Sequence, residues 1–210
     1  MKWSHFQKCL KIWIDILTPK QLLFSEPIVE RLGVKHDLLC TSREYEEVSK
    51  LSKIRHFDLI FVGKHGGSDK KSKLEASIER INKLSKKIEK FKPDLVISFG
   101  SPEAARISFG LGIKHIMFCD SPHANAVMRL TLPLIQKLLI PYVIPKKEFS
   151  KYGINEKNIV QYKAIDAVVT MKREINEKIV SPFKNNNKKN ILIRVEEEEA
   201  AYTSKSSKTI

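Results

Sequence analysis

Four clusters in the 210-residue chain carry side chains able to move protons or hold a ligand, and each follows an apolar run. Asp15 lies near the end of the run at 11–16 and Thr18 follows it, and Lys64, His65, Gly66 and Gly67 follow the run at 58–62. Ser98, Gly100, Ser101 and Glu103 close the run that begins at Leu95, and Asp120, Ser121 and His123 follow 114–119. Asp120 and His123 are spaced to act as an acid/base pair or to orient a substrate hydroxyl. Burial behind a strand would perturb the Asp120 carboxyl. The plainer alternative is that Asp120 caps the next helix and His123 packs at its start. His65 and Lys64 could face a phosphate or a sugar hydroxyl, beside two glycines whose missing Cβ lets backbone approach a ligand. Equally, those glycines could only turn the chain. Ser101, Pro102 and Glu103 supply an N-cap, a first-turn proline and an acidic first turn. The free N–H groups of such a helix start suit an anion.

These clusters need a scaffold that brings them to one edge. Short apolar runs alternate with amphipathic stretches: strands at 11–16, 36–42 and 58–62, one from Leu95 to the turn at Gly100, and one at 114–119, with a weaker one at 140–144. Helices are expected at 21–32, with Pro27 starting or kinking it, and at 44–56, 73–92, 102–111 and 124–132. In the longest of these, Leu74, Ile78, Ile81, Leu84, Ile88 and Phe91 form one apolar stripe. Strand–helix alternation specifies right-handed crossovers and a parallel, Rossmann-like α/β sheet with flanking helices. In such a sheet ligands bind beyond the carboxyl ends of the strands, and all four clusters lie at such ends. The expected organisation is a Rossmann-like domain at 11–145, a connecting segment and polar linker at 146–190, and the start of a truncated second domain at 191–210. Residues 146–152 read as a short helix, 159–162 as a short strand, and 191–195 as a lone strand that cannot bury itself.

Composition narrows the chemistry. The formal net charge of +14 favours anionic partners. Much of the lysine sits on the 73–92 helix among glutamates, which reads as a solvated face, so no specific nucleic-acid partner is expected. Cys9, Cys40 and Cys119 lack zinc spacing, so no metal is expected and the cysteines read as free thiols of a reducing compartment. No Gly-Lys-Ser/Thr loop ending and no G-x-G-x-x-G run is present, which leaves no support for a nicotinamide or flavin cofactor. No G-x-S-x-G elbow points to nucleophilic hydrolysis. No apolar run is long enough for a membrane span and no leader is recognisable, so a cytoplasmic location is expected.

The segments KIWIDILTP (11–19), VGKHGG (62–67), KFKPDLVISFGSPEAARISFGLGIKHI (90–116) and the run from DSPHA to LTLPL (120–134) resemble the mainly archaeal domain of unknown function 354. That family looks like the two-domain GT-B glycosyltransferases and UDP-N-acetylglucosamine 2-epimerases. The resemblance implies a nucleotide-activated sugar or a sugar acceptor as partner. It implies Asp120, His123 and His65 as catalytic candidates, and the remaining cluster residues as substrate contacts. Members run on through a second domain that holds most of the donor site, so a separate chain supplying that half is an implied partner. Ala164 stands where the family tends to have glycine. A non-catalytic truncated remnant, or a basic α/β module for phosphorylated ligands, is the competing expectation.

Overall fold

The computed structural model describes residues 8–67 and 69–174, together with 177, 178, 191 and 193. Residues 179–190 of the expected connecting segment and linker, and all of the expected second-domain start at 191–210 except Ile191 and Ile193, lie outside the described residues.

Seven parallel strands form one sheet in the order β3-β2-β1-β4-β5-β6-β7. They are β1 (Lys11–Asp15), β2 (Asp37–Glu44), β3 (Ile60–Lys64), β4 (Leu95–Ser98), β5 (Lys114–Phe118), β6 (Lys137–Pro141) and β7 (Ile159–Tyr162). Helices cross between them: α1 (Pro19–Gly33), α2 (Glu46–Ile54), α3 (Lys70–Phe91), α4 (Pro102–Gly110), α5 (Asn125–Thr131), α6 (Lys147–Ser150) and α7 (Ala167–Met171). The architecture is Rossmann-like α/β. The strand order reverses between β1 and β4, the crevice where parallel sheets bind ligands.

Period-two alternation sets the two faces of the sheet. Ile12, Ile14 and Ile16 pack with Leu22 of α1 and Val48 of α2. Trp13 points the other way, to Leu84 and Ile88 of α3 and Ala104 and Ile107 of α4. A third cluster, including Met117, Leu138, Phe149 and Ile159, fills the β5–β7 half.

Several local expectations shift. Helix α1 begins at Pro19 rather than near Gln21, because Thr18 caps it by accepting from the Gln21 N–H at 3.3 Å and Pro19 occupies the first turn. Pro27 lies inside it. Strand β3 runs on through Gly63 and Lys64, past the expected end at Val62. Strand β6 ends at Pro141 instead of starting there. Proline cannot donate to a ladder, so it closes the strand. The stripe of α3 is also different: its buried residues are Arg80, Leu84 and Ile88, while Leu74 and Ile78 are exposed. Among the described residues no helix is long and apolar enough to cross a membrane, and no group of three or more His, Cys, Asp or Glu side chains could hold a metal ion.

Candidate functional site

The carboxyl edge of the sheet holds two distinct polar centres. The first is buried at the β1–β4 switch point. Asp15, 1% exposed at the end of β1, receives a bidentate pair from Arg80, at 2.7 Å to Oδ1 and 3.1 Å to Oδ2. Thr41 donates to the same carboxylate at 2.6 Å and Ser101 at 2.7 Å. Trp13 Nε1 donates to Thr41, and Arg80 Nε donates to the Val62 carbonyl at 3.0 Å. Burial would push the Asp15 carboxyl up, but the adjacent Arg80 guanidinium outweighs it and holds the group below the usual carboxylate range. Glu103 is buried at 3.5 Å from both Arg80 and Ser101. Ser101 also caps α4 by accepting from the Ala104 N–H at 3.1 Å.

Four expected ligand contacts, Asp15, Ser98, Ser101 and Glu103, therefore face inward. Asp15 and Ser101 spend their polar atoms on the switch-point network. Ser98 is bonded to Nε2 of buried His115 at 2.8 Å, and Ser108 holds Nδ1 at 2.9 Å. Burial lowers His115 to about 4, so this histidine is neutral and internally satisfied.

The second centre lies nearer the surface, where β5 and β7 end: Lys20 is half-exposed, Asp120 is partly exposed and Asp166 is buried beneath them. Lys20, in the first turn of α1, donates to Asp120 Oδ2 and lies 3.2 Å from Asp166 Oδ2. Tyr162, the last residue of β7, donates to Asp166 Oδ1, and Ser121 donates to Asp120 Oδ1 at 2.9 Å. Aromatic rings form the floor beneath. Phe24 packs edge-on against Phe99 at 5.3 Å and Phe118 at 5.1 Å, and Phe118 tilts against Tyr162 at 6.2 Å. The Lys20 ammonium sits 5.0 Å above the Phe99 ring. Gln21 locks the two switch-point loops by donating to the Phe99 carbonyl at 2.8 Å and accepting from the Leu17 N–H at 2.7 Å.

This geometry splits the two carboxyls. Partial burial works to raise Asp120, but hydrogen bonding and charge from Lys20 win and lower it. Asp166 is raised, by burial first and by the Asp120 charge, despite bonds from Tyr162 and Lys20. Lys20 is raised because its two carboxylate partners outweigh its partial desolvation. Burial and the Asp166 charge push the Tyr162 phenol above its usual range. A carboxyl that is lowered beside one that is raised sets the two apart in proton affinity, the pattern of a base and an acid sharing one site.

The third cluster lies elsewhere on the edge. With β3 four strands from β5, His65 stands about 19 Å from Asp120 at roughly 4.8 Å per strand. The structure therefore does not bring Asp120, His123 and His65 into one centre. His65 stacks on Tyr45 with ring centroids 5.6 Å apart, and its Nδ1 accepts from the Gly67 N–H at 3.1 Å. Tyr45, His65, Lys64 and Phe61 line an open groove of about 480 Å³. At Gly66 the close neighbour is not a ligand but α3: an added Cβ would sit 2.6 Å from Lys73 Cα. Gly67 faces open space at φ +68°. Gly100 turns the β4–α4 loop at φ +71°, and His123 is exposed at the start of α5. A second cavity, of about 350 Å³, is lined by Val29, Leu38, Arg55 and Phe57 and shares no residue with the Lys20 centre.

Sequence reasoning missed Lys20, Arg80, Asp166 and Tyr162. Two of them carried a signal: Lys20 directly follows the strand-end Thr-Pro pair, and Arg80 is the only arginine in α3 and lies four residues before Leu84.

The family described as protein of unknown function DUF354 matches residues 10–210. An uncharacterized protein of Methanocaldococcus jannaschii is 31% identical over 147 residues, 69% of this chain and 42% of that protein. The structure of UDP-GlcNAc 2-epimerase from the same organism superposes with a TM-score of 0.62 at 18% identity, over 83% of this chain and 52% of that one. The glycotransferase of kitacinnamycin superposes with a TM-score of 0.52 at 12% identity, over 75% of this chain and 53% of that one. At these identities the likeness to the two structures is one of fold. The chain spans about half the length of the proteins it matches.

Proposed function

The chain belongs to the DUF354 family, and from that premise we propose that its sheet edge handles a nucleotide-activated sugar, with Asp120 and Asp166 as the base and acid. The observation that carries this reading is the pair of carboxyls pushed apart in proton affinity across Lys20, over an aromatic floor, at the ligand-binding edge of the sheet. Asp120, held ionised, accepts a proton from the sugar or from an acceptor hydroxyl. Asp166, holding its proton to higher pH, returns one. The phenyl faces of Phe99 and Phe118 form an apolar wall for a sugar ring, while Lys20 neutralises charge that develops between the carboxyls. Thr18 and Gly100 shape the adjoining cleft. His123, Lys64, His65, Gly66 and Gly67 contact outlying parts of a bound molecule.

Fold likeness to a UDP-GlcNAc 2-epimerase and a glycotransferase supports a sugar-nucleotide ligand. Because the chain spans about half of those proteins, the reaction of a whole protein, and any further chain that supplies the remaining contacts, are part of the proposal. The test is calorimetric titration with UDP-, GDP- and CMP-sugars, followed by NMR of the sugar in deuterated water. Saturable binding of one of them is expected, with deuterium entry or transfer abolished in Asp120→Asn. Binding without turnover would favour the competing reading, a basic module for phosphorylated ligands. No binding by any sugar nucleotide, with or without a supplied second half, would sink both the sugar and the catalytic assignments.

A further inference from the structure

Arg43 sits near the end of β2, where the register with β3 shifts between Ser42 and Glu44. A bulged residue leaves the ladder and its side chain is re-aimed. The Arg43 side chain lies within the electrostatic reach of Glu103, Arg80 and Asp15 at the switch point. It is half-buried, and its Nε is fully enclosed with no hydrogen-bond partner. Among the described residues no carboxylate comes within 4.0 Å of it.

The nearby carboxylates are already engaged. Asp15 is bonded by Arg80, Thr41 and Ser101. Glu103 Oε2 is shared between Arg80 and Ser101. A guanidinium cannot shed its charge inside a protein, and it carries five donors in a planar fork. Burial and the like charge of Arg80 both disfavour its cationic form, with Glu103 offsetting part of the effect. An enclosed, charged donor without an acceptor is rare in a folded chain and calls for an external partner. The partner that matches a planar fork of donors is an oxyanion. Ligands of parallel sheets enter at the switch point between β1 and β4, and β2 is the next strand.

We propose that Arg43 is an oxyanion-binding residue, whose guanidinium takes a carboxylate or phosphate group of a ligand entering over the carboxyl ends of β2 and β1. It would do so whether or not Asp120 handles a sugar, so the probes are simple salts.

The experiment follows the Nε–Hε NMR resonance of Arg43 in the full chain. Sodium phosphate and sodium acetate are titrated separately against sodium chloride at constant ionic strength. A saturable shift with phosphate or acetate is expected, and the stronger arm identifies the oxyanion. Arg43→Gln should weaken that binding about tenfold or more, read on the Ser101 and Glu103 amides. It should leave the urea midpoint unchanged or higher, since it removes a half-buried charge that pairs with no carboxylate. Equal responses to chloride, no saturation with either salt, or unchanged affinity in Arg43→Gln would overturn the assignment. A marked loss of stability in Arg43→Gln would also overturn it, because the arginine would then be serving the fold.

Discussion

Arg80→Leu removes the guanidinium that pairs with Asp15 while keeping an apolar side chain on the buried face of α3. Asp15 would remain 1% exposed, with only the hydroxyls of Thr41 and Ser101 left to bond it. Breaking a buried ion pair from one side strands the other charge and costs about 3–5 kcal/mol. With a urea slope near 2 kcal/mol per molar, the unfolding midpoint should fall by about 2 M. The sign of the pH dependence gives a second, independent reading. In the natural chain Asp15 is held below its ordinary value of 3.8, so its contribution is complete above that pH and fades as pH falls through the folded value. In Arg80→Leu the same carboxyl is buried without its partner and is raised instead. Its penalty is then largest at neutral pH and shrinks as acid protonates it. Urea melts of both proteins at pH 7.5 and pH 5 read both effects. A midpoint loss under about 0.5 M, or a penalty that does not shrink on acidification, would refute the assignment of this pair as the switch-point anchor.

Other outcomes follow from the same geometry. His115, lowered from 6.5 to about 4 by burial, is neutral in the fold and protonated below 6.5 when unfolded. Stability should therefore drop by about 3 kcal/mol as pH falls through this window, with the ring resonance titrating near the lower value. An imidazole that titrates near 6.5 in the folded chain would contradict it. Lys20→Met should raise Asp120, since Lys20 is what holds it down, and carboxyl carbon NMR would follow the change. An unmoved Asp120 would mean that the split between the carboxyls does not depend on Lys20. Gly66→Ala forces a Cβ to 2.6 Å from Lys73 Cα and should cost about 1–3 kcal/mol through overpacking. Gly67→Ala meets open space but pays for its left-handed backbone, about 1–2 kcal/mol. If chemical denaturation shows no loss for Gly66→Ala, the loop does not pack on α3 as described.

Much of the fold was legible in the chain. Alternating apolar runs and amphipathic stretches require parallel strands joined by helical crossovers, and the Ser101-Pro102-Glu103 start of α4 was readable from cap chemistry alone. That is local physics: proline geometry, N-cap acceptors and the two side-chain periods. The polar residues at strand ends were also legible as an edge, because a strand's direction fixes which end its last residue occupies.

What each polar residue does there was decided by tertiary structure. Asp15 and Asp120 both follow apolar strands, yet one is sealed beneath Arg80 and the other meets Lys20 at the surface. The difference is the strand order. It places β1 inside the sheet, between β2 and β4 and under α3 and α4, and leaves the ends of β5 and β7 beside α1. The partners are distant in the chain: Arg80 lies 65 residues from Asp15, and Lys20 lies 100 from Asp120. No spacing rule connects residues so far apart, since only crossovers and packing bring them within bonding distance. Sequence alone thus determined which residues lie at the carboxyl edge of the sheet. Burial, charge pairing and strand order determined which of them hold the fold and which remain available for chemistry.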